Sequence, residues 1–196
     1  LDADEHFDHY LKDECESKIK KNTKSAFMVP NKTIFFGKWI KYSSGFPNYQ
    51  MRFHMLDHAK FIQIGHGQRE SNLKNGLGYF KNSYTHHAFE KGLTNWFIKH
   101  IKYAEDEAKN NIFNSKSIKL SNLFSQNIIV RRRIHKIISS KLPLRGLFKF
   151  IYMYVYKLGF LDGKQGFIYV LMQCIYEQII QIKEYEIKFL NKKSRK

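Results

Sequence analysis

Asp2 and Asp4 stand one residue apart at the start of this chain, and carboxylates at that spacing can share a cation. In an extended segment residues i and i+2 point the same way. Hard divalent ions such as Mg²⁺ or Mn²⁺ take carboxylate and phosphate oxygens together. Leu1-Asp2-Ala3-Asp4-Glu5 therefore reads as a strand whose end holds a nucleotide diphosphate through a metal. The same acidic triplet also suits a turn or a helix cap, and the spacing alone leaves both readings open.

The segments that would position these carboxylates read as α/β. Asp8 to Lys24 is polar and suits a short helix or loop. Ala26–Pro30 and Thr33–Gly37 are short apolar runs with turn signals between them, hence two strands, and Tyr49–Phe53 and Lys60–Ile64 read as two more. Gly65-His66-Gly67-Gln68-Arg69-Glu70 reads as a glycine-flanked polar loop, and Gly76 to Tyr79 as a turn. From Phe89 to Lys109 apolar residues recur at spacings of three and four (Leu93, Trp96, Phe97, His100, Ile101, Ala104), which predicts a helix. Arg131-Arg132-Arg133 opens a basic helix that Pro143 interrupts. Leu147–Leu158 and Gly166–Leu190 predict two more helices, separated by Gly159–Gly163. Trp39 and Trp96 are expected in the core, and Asp162 as a turn or N-cap residue. His86 and His87 are adjacent and cannot face one way on a strand, which argues against a metal site made of that pair.

The net charge of +17 is unevenly spread: residues 109–196 carry 18 Lys/Arg against four acids. Such a balance predicts a polyanionic neighbour, either nucleic acid or an anionic membrane. With 43% hydrophobic and 16% aromatic residues the chain is too apolar for disorder. Cys15 and Cys174 lie far apart in unlike settings and suit a reducing compartment better than a disulfide framework. The longest charge-free stretch in the apolar C-terminal region, Gln165 to Tyr176, is twelve residues, short of the roughly 20 that span a bilayer. The apolar helices with Tyr and Lys at their borders therefore suit either an interfacial hairpin or a hairpin buried against the sheet.

Several segments in order carry a resemblance. They are Leu1–Glu5, Phe36-Gly37-Lys38-Trp39-Ile40, Phe46–Phe53, Gly65–Glu70, Lys99–Tyr103 with Glu107-Ala108, and Leu158-Gly159-Phe160-Leu161-Asp162-Gly163 with Gly166-Phe167. Over residues 1–190 the chain resembles the C-terminal two-thirds of bacterial family 2 glycosyltransferases with a GT-A fold, of the lipopolysaccharide-core and exopolysaccharide type. The resemblance implies a partial, Rossmann-like GT-A domain over 1–109 and a basic, helical, membrane-associated region over 110–196. It implies sugar transfer, inverting, from a nucleotide-sugar donor to a glycan or lipid-linked acceptor at the cytoplasmic face of the inner membrane. Asp2 and Asp4 are then the metal–diphosphate ligands, and His66 completes the metal shell or contacts the diphosphate.

Arg52 and Arg69 suit bidentate phosphate contacts, and Gln50 and Tyr49 suit the acceptor side. Many relatives have His followed directly by Glu, whereas here Gly67 follows His66 and the acid arrives at Glu70. Glu70 is the first choice for the base that takes the acceptor proton, and Glu5 the second. The chain opens inside a strand and lacks an initiator Met, so it is expected to be a fragment that turns over little alone. Arg131–Arg133 suit anionic lipid headgroups. A basic nucleic-acid-binding protein and a non-catalytic membrane scaffold are the alternatives. No nucleic-acid motif is present, and the aromatic residues near the basic cluster sit in apolar helical runs, so no nucleic-acid partner is expected.

Overall fold

In a computed structural model, residues 2–21, 24–56, 60–64, 67–71, 75–114 and 144–193 are described, those of 60–64 and 67–71 by their backbone alone. The fold is mixed α/β. Its described elements are β1 (Glu5–His6), α1 (His9–Lys21), β2 (Ala26–Phe35), β3 (Lys38–Trp39), β4 (Asn48–His54), β5 (Lys60–Ile64), β6 (Gly67–Ser71), β7 (Leu77–Tyr79) and β8 (Tyr84–His86). They are followed by α2 (Gly92–Asn114), α3 (Arg145–Phe150), a π-helical turn (Ile151–Tyr156), a 3-10 turn (Gly159–Asp162) and α4 (Gly163–Lys193).

The sheet is organised by β2. Its ten residues are one strand, where the apolar runs on either side of Asn31-Lys32 predict two. On one edge it pairs antiparallel with β4 (Ala26↔His54 to Asn31↔Asn48) and then with β3. On the other it pairs in parallel with β7 at Ala26–Met28 and with β8 at Asn31–Thr33. Pro30 has no N–H to donate, and it falls in the interval between the β7 and β8 ladders, where a mid-sheet proline loses least. The β2–β3 connection is Phe36-Gly37, both at positive φ (47° and 74°), as a two-residue hairpin turn with right-handed twist requires. β1 extends the sheet by pairing antiparallel with β8 (Glu5↔His86, His6↔Thr85).

Other expectations change. Gly67–Ser71 is a strand paired with β5 rather than a loop, because its backbone hydrogen-bonds even though its side chains show no apolar alternation. Leu77–Tyr79 is a strand rather than a turn. Ala3 and Asp4 lie in a turn that precedes β1, closed by the Glu5 amide donating to the Asp2 carbonyl at 3.0 Å. The extended geometry that would align the two aspartates is therefore absent. Arg131–Arg133 and Pro143 lie outside the described residues.

The chain divides into two compact units, Leu1–Trp96 with Tyr152–Val170, and Phe97–Ile151 with Leu171–Lys196. The division falls within α2, between Trp96 and Phe97, and again between Ile151 and Tyr152 and between Val170 and Leu171. In the first unit α1 is started by Asp8, whose carboxylate accepts from the Leu11 amide at 2.9 Å. Leu11 then packs with Phe27, Val29, Phe80 and Tyr84. A second cluster joins Phe35 to Phe89 and Tyr169, with Trp96 stacked on Phe89. Trp96 is in the core as expected. Trp39 is half-buried, edge-on to Phe46, with the Lys32 and Lys41 ammonium groups 5.3 and 5.9 Å from its ring.

Asp162 does not cap the helix that follows it. Its buried carboxylate accepts from three consecutive amides, Lys41 (3.1 Å), Tyr42 (3.0 Å) and Ser43 (2.7 Å), and from the Ser43 hydroxyl. Lys38 Nζ donates to the Asp162 carbonyl at 2.7 Å. Successive N–H groups aimed at one carboxylate form an anion-holding nest. Gly166 lets the segments approach: a Cβ there would lie 2.5 Å from the Asp162 Cβ and 2.6 Å from the Gly159 carbonyl oxygen. The Gly-Phe-Leu-Asp-Gly stretch is thus a structural clasp.

In the second unit Ala104, Ala108 and Ile180 form the core, small residues of α2 meeting the apolar stripe of α4. Arg145, 7% exposed, pairs with Glu177 (2.8 Å) and with Glu184 (3.1 Å), which also accepts from Asn111 at 2.7 Å. Among the described residues no helix is long and apolar enough to cross a membrane.

Candidate functional site

Four residues named from the sequence, Asp2, Glu5, Gln50 and Arg52, converge through the β1, β4 and β8 segments. Arg52 is the extra residue of a bulge in β4, skipped between the Phe27↔Phe53 and Met28↔Met51 pairs, and it reaches the same Tyr84 as Gln50. The Arg52 guanidinium donates to Asp2 Oδ2 at 2.9 Å and, through the same nitrogen, to Glu5 Oε1. The second Glu5 oxygen accepts from the Asp2 amide at 3.1 Å. The Glu5 side chain is fully buried, whereas that of Asp2 is 65% exposed.

Tyr84 completes the group. It is fully buried, its hydroxyl donates to Gln50 Oε1 at 2.9 Å, and the Arg52 guanidinium lies 5.8 Å from its ring centre. Burial lowers the pKa of Arg52, but the hydrogen bond to Tyr84 and the charge of Glu5 outweigh it and leave the pKa raised. Burial pushes the Tyr84 phenol up to about 12, with Arg52 opposing the rise and the Glu5 charge adding to it.

This shift has a consequence in alkali. The folded pKa exceeds the unfolded value of about 10, so the unfolded chain loses the phenol proton first. The stability that neutral Tyr84 confers is complete below pH ~10 and declines as pH rises toward ~12. Tyr84→Phe is expected to lose about 1 kcal/mol at pH 7 with the Gln50 hydrogen bond, and to show a shallower loss between pH 10 and 12. Urea denaturation of both proteins at pH 7, 10 and 11.5 checks this; equal alkaline slopes would reject it.

Asp4 takes a different partner. Its Oδ2 lies 3.5 Å from His86 Nε2, and His86 Nδ1 is 3.4 Å from the Asn31 amide nitrogen. An amide nitrogen can only donate, so this contact is a hydrogen bond in the tautomer that carries its proton on Nε2, the atom that faces Asp4.

In this arrangement Asp2 faces Arg52 and Asp4 faces His86, so a cation shared by the two carboxylates would replace those two contacts. Glu5, the second choice of base, has both oxygens engaged in the interior, the geometry of an anchor for Arg52. Glu70 and Arg69 lie on β6, which pairs with β5, and their side chains are outside the described residues, as is the whole of His66.

A second cluster was not foreseen. His6, His87 and Glu90 bring one ligand atom each within 4.8 Å of one another. Adjacent His86 and His87 do diverge, as alternation requires, but His87 finds His6 across the β1–β8 ladder, with ring centres 5.0 Å apart. Glu90 arrives through a turn, its amide donating to the His87 carbonyl at 3.2 Å. Nothing local in the sequence marks a pairing between residues this far apart.

Comparison of this chain with family models, with curated proteins and with solved structures finds no match.

Proposed function

We propose that this chain is part of a nucleotide-sugar-dependent glycosyltransferase that works on a glycan or lipid-linked acceptor at an anionic membrane surface. The observation that supports the reading is the meeting of Asp2, Glu5, Gln50 and Arg52 around Tyr84, from segments some fifty residues apart. Arg52 is the diphosphate ligand. Its bond to exposed Asp2 is a surface ion pair worth about 0–1 kcal/mol, so a donor phosphate displaces Asp2 easily. The buried Glu5 keeps the guanidinium aimed while this happens. Gln50, fixed by Tyr84, presents an amide to a sugar hydroxyl, and Glu70 is the base that accepts the acceptor proton.

The membrane side of the proposal rests on the segment around the clasp. Tyr152, Val155, Tyr156, Leu158, Phe160 and Leu161 are all exposed, with Lys157 and Lys164 among them. Aromatic, aliphatic and lysine side chains exposed together suit the headgroup region of an anionic bilayer, here the cytoplasmic face of the inner membrane.

The test is transfer from a panel of nucleotide sugars to extracted glycolipids by the product of the whole reading frame in which these residues lie. Arg52→Ala is expected to lower turnover by roughly 10- to 100-fold, the worth of one charged hydrogen-bonding group, and Arg52→Lys to recover part of it. Binding to vesicles with anionic lipid is expected to fall with salt. Absence of transfer together with salt-sensitive shifts of RNA or DNA would replace this reading with the nucleic-acid one.

A further inference from the structure

We propose that His6, His87 and Glu90 form a binding site for a divalent transition-metal ion of the zinc class, separate from the Asp2–Arg52 group. The inference stands whether or not the chain transfers sugars. Two imidazoles and one carboxylate are the donor set that borderline ions such as Zn²⁺, Co²⁺ and Ni²⁺ prefer, whereas Mg²⁺ and Ca²⁺ favour oxygen alone.

The backbone explains why these three meet. In the β1–β8 register Glu5 lies opposite His86 and His6 opposite Thr85, and the His87 amide donates to the Asp4 carbonyl at 2.8 Å. Side-chain alternation then puts Glu5, Tyr84 and His86 on one face of the ladder and His6 and His87 on the other. The turn after His87 returns Glu90 beside it, with His87 Nδ1 and Glu90 Oε1 3.5 Å apart.

The distances suit an ion. With metal–ligand bonds of about 2.0–2.1 Å, tetrahedral donors lie about 3.4 Å from one another. His87 and Glu90 are already at that separation. His6 must close from at most 4.8 Å, a shift of about 1.4 Å that rotation of an exposed side chain supplies. Three protein ligands leave at least one position for water or for an oxygen of a bound molecule, the pattern of an open site.

The experiment uses the full 196-residue chain, stripped with chelator and titrated with Zn²⁺ by calorimetry and with Co²⁺ by visible absorption. One equivalent is expected to bind. His87→Ala is expected to weaken binding by roughly 100-fold, or about 2.7 kcal/mol, with His6→Ala and Glu90→Gln weakening it in the same direction. His6 and Glu90 are exposed, so their variants keep the fold, and circular dichroism checks this; if His87→Ala misfolds, those two alone decide. The double variant Asp2→Asn/Asp4→Asn is expected to bind like wild type. Three results would each overturn the proposal: no saturable binding below 100 µM as an order-of-magnitude limit, loss of binding in the Asp2/Asp4 variant but not the histidine variants, or a cobalt–thiolate band abolished by Cys15→Ser or Cys174→Ser.

Discussion

Asp162→Ala is expected to destabilise the unit formed by Leu1–Trp96 and Tyr152–Val170 by about 4 kcal/mol, one of the two largest effects of any single substitution described here. Asp162 is 3% exposed and its carboxylate serves four donors, three of them consecutive backbone amides. Removing it leaves those amides in a buried loop without acceptors, at about 1–3 kcal/mol each, less whatever water can restore. Asp162→Asn keeps one acceptor oxygen but turns an N–H₂ group toward donors, so about half the loss is expected. Hydrogen exchange at Lys41, Tyr42 and Ser43, and at the β2–β4 amides, measures both variants. A loss below 1 kcal/mol for the alanine variant would mean that the loop holds its shape without the clasp.

Arg145→Ala carries the second large effect, in the other unit. Among the described residues it leaves Glu184, 8% exposed, with Asn111 as its partner and Glu177 with Lys149 at 3.5 Å. Breaking a buried ion pair by removing one member costs about 3–5 kcal/mol, because the remaining charge stays out of water. Replacing both members by apolar residues avoids that penalty. Arg145→Met with Glu184→Leu is therefore expected to be less destabilising than Arg145→Ala alone, despite changing more atoms. Urea denaturation followed by far-ultraviolet circular dichroism provides the comparison. If the double variant were the worse of the two, the network would contribute through its hydrogen bonds and not through charge compensation.

The two long helices were legible because burial of one face follows the helical period, as Trp96, Ala104 and Ala108 on α2 illustrate with spacings of eight and four. β2 was legible in kind but not in length. Asn31 and Lys32 interrupt its apolar pattern, yet Asn31 is buried because it faces the His86 ring of β8, a reason that lies outside the strand. β6 offered no signal, since its identity rests on backbone pairing alone. Of the Asp2–Arg52 group Asp2, Glu5, Gln50 and Arg52 could be named from the sequence, but not Tyr84 and not their arrangement. That Asp2 and Glu5 would share one guanidinium, while Asp4 turned to His86, depends on strand register across the sheet. The same holds for Asp162: glycines on either side mark a turn, and nothing nearby in the chain says that its carboxylate serves Lys41, Tyr42 and Ser43.

The division into two units also determines what light reports about this molecule. Trp39 and Trp96 are the chain's two tryptophans, and both belong to the first unit. Intrinsic emission excited at the red edge of the aromatic band therefore originates in the first unit alone. Its two sources are unlike: Trp96 is 7% exposed and stacked on Phe89, while Trp39 is half-buried with two ammonium groups near its ring. The unit built around Arg145 and Glu184 has no tryptophan of its own, and reaches that emission through α2, which carries Trp96 and continues into it.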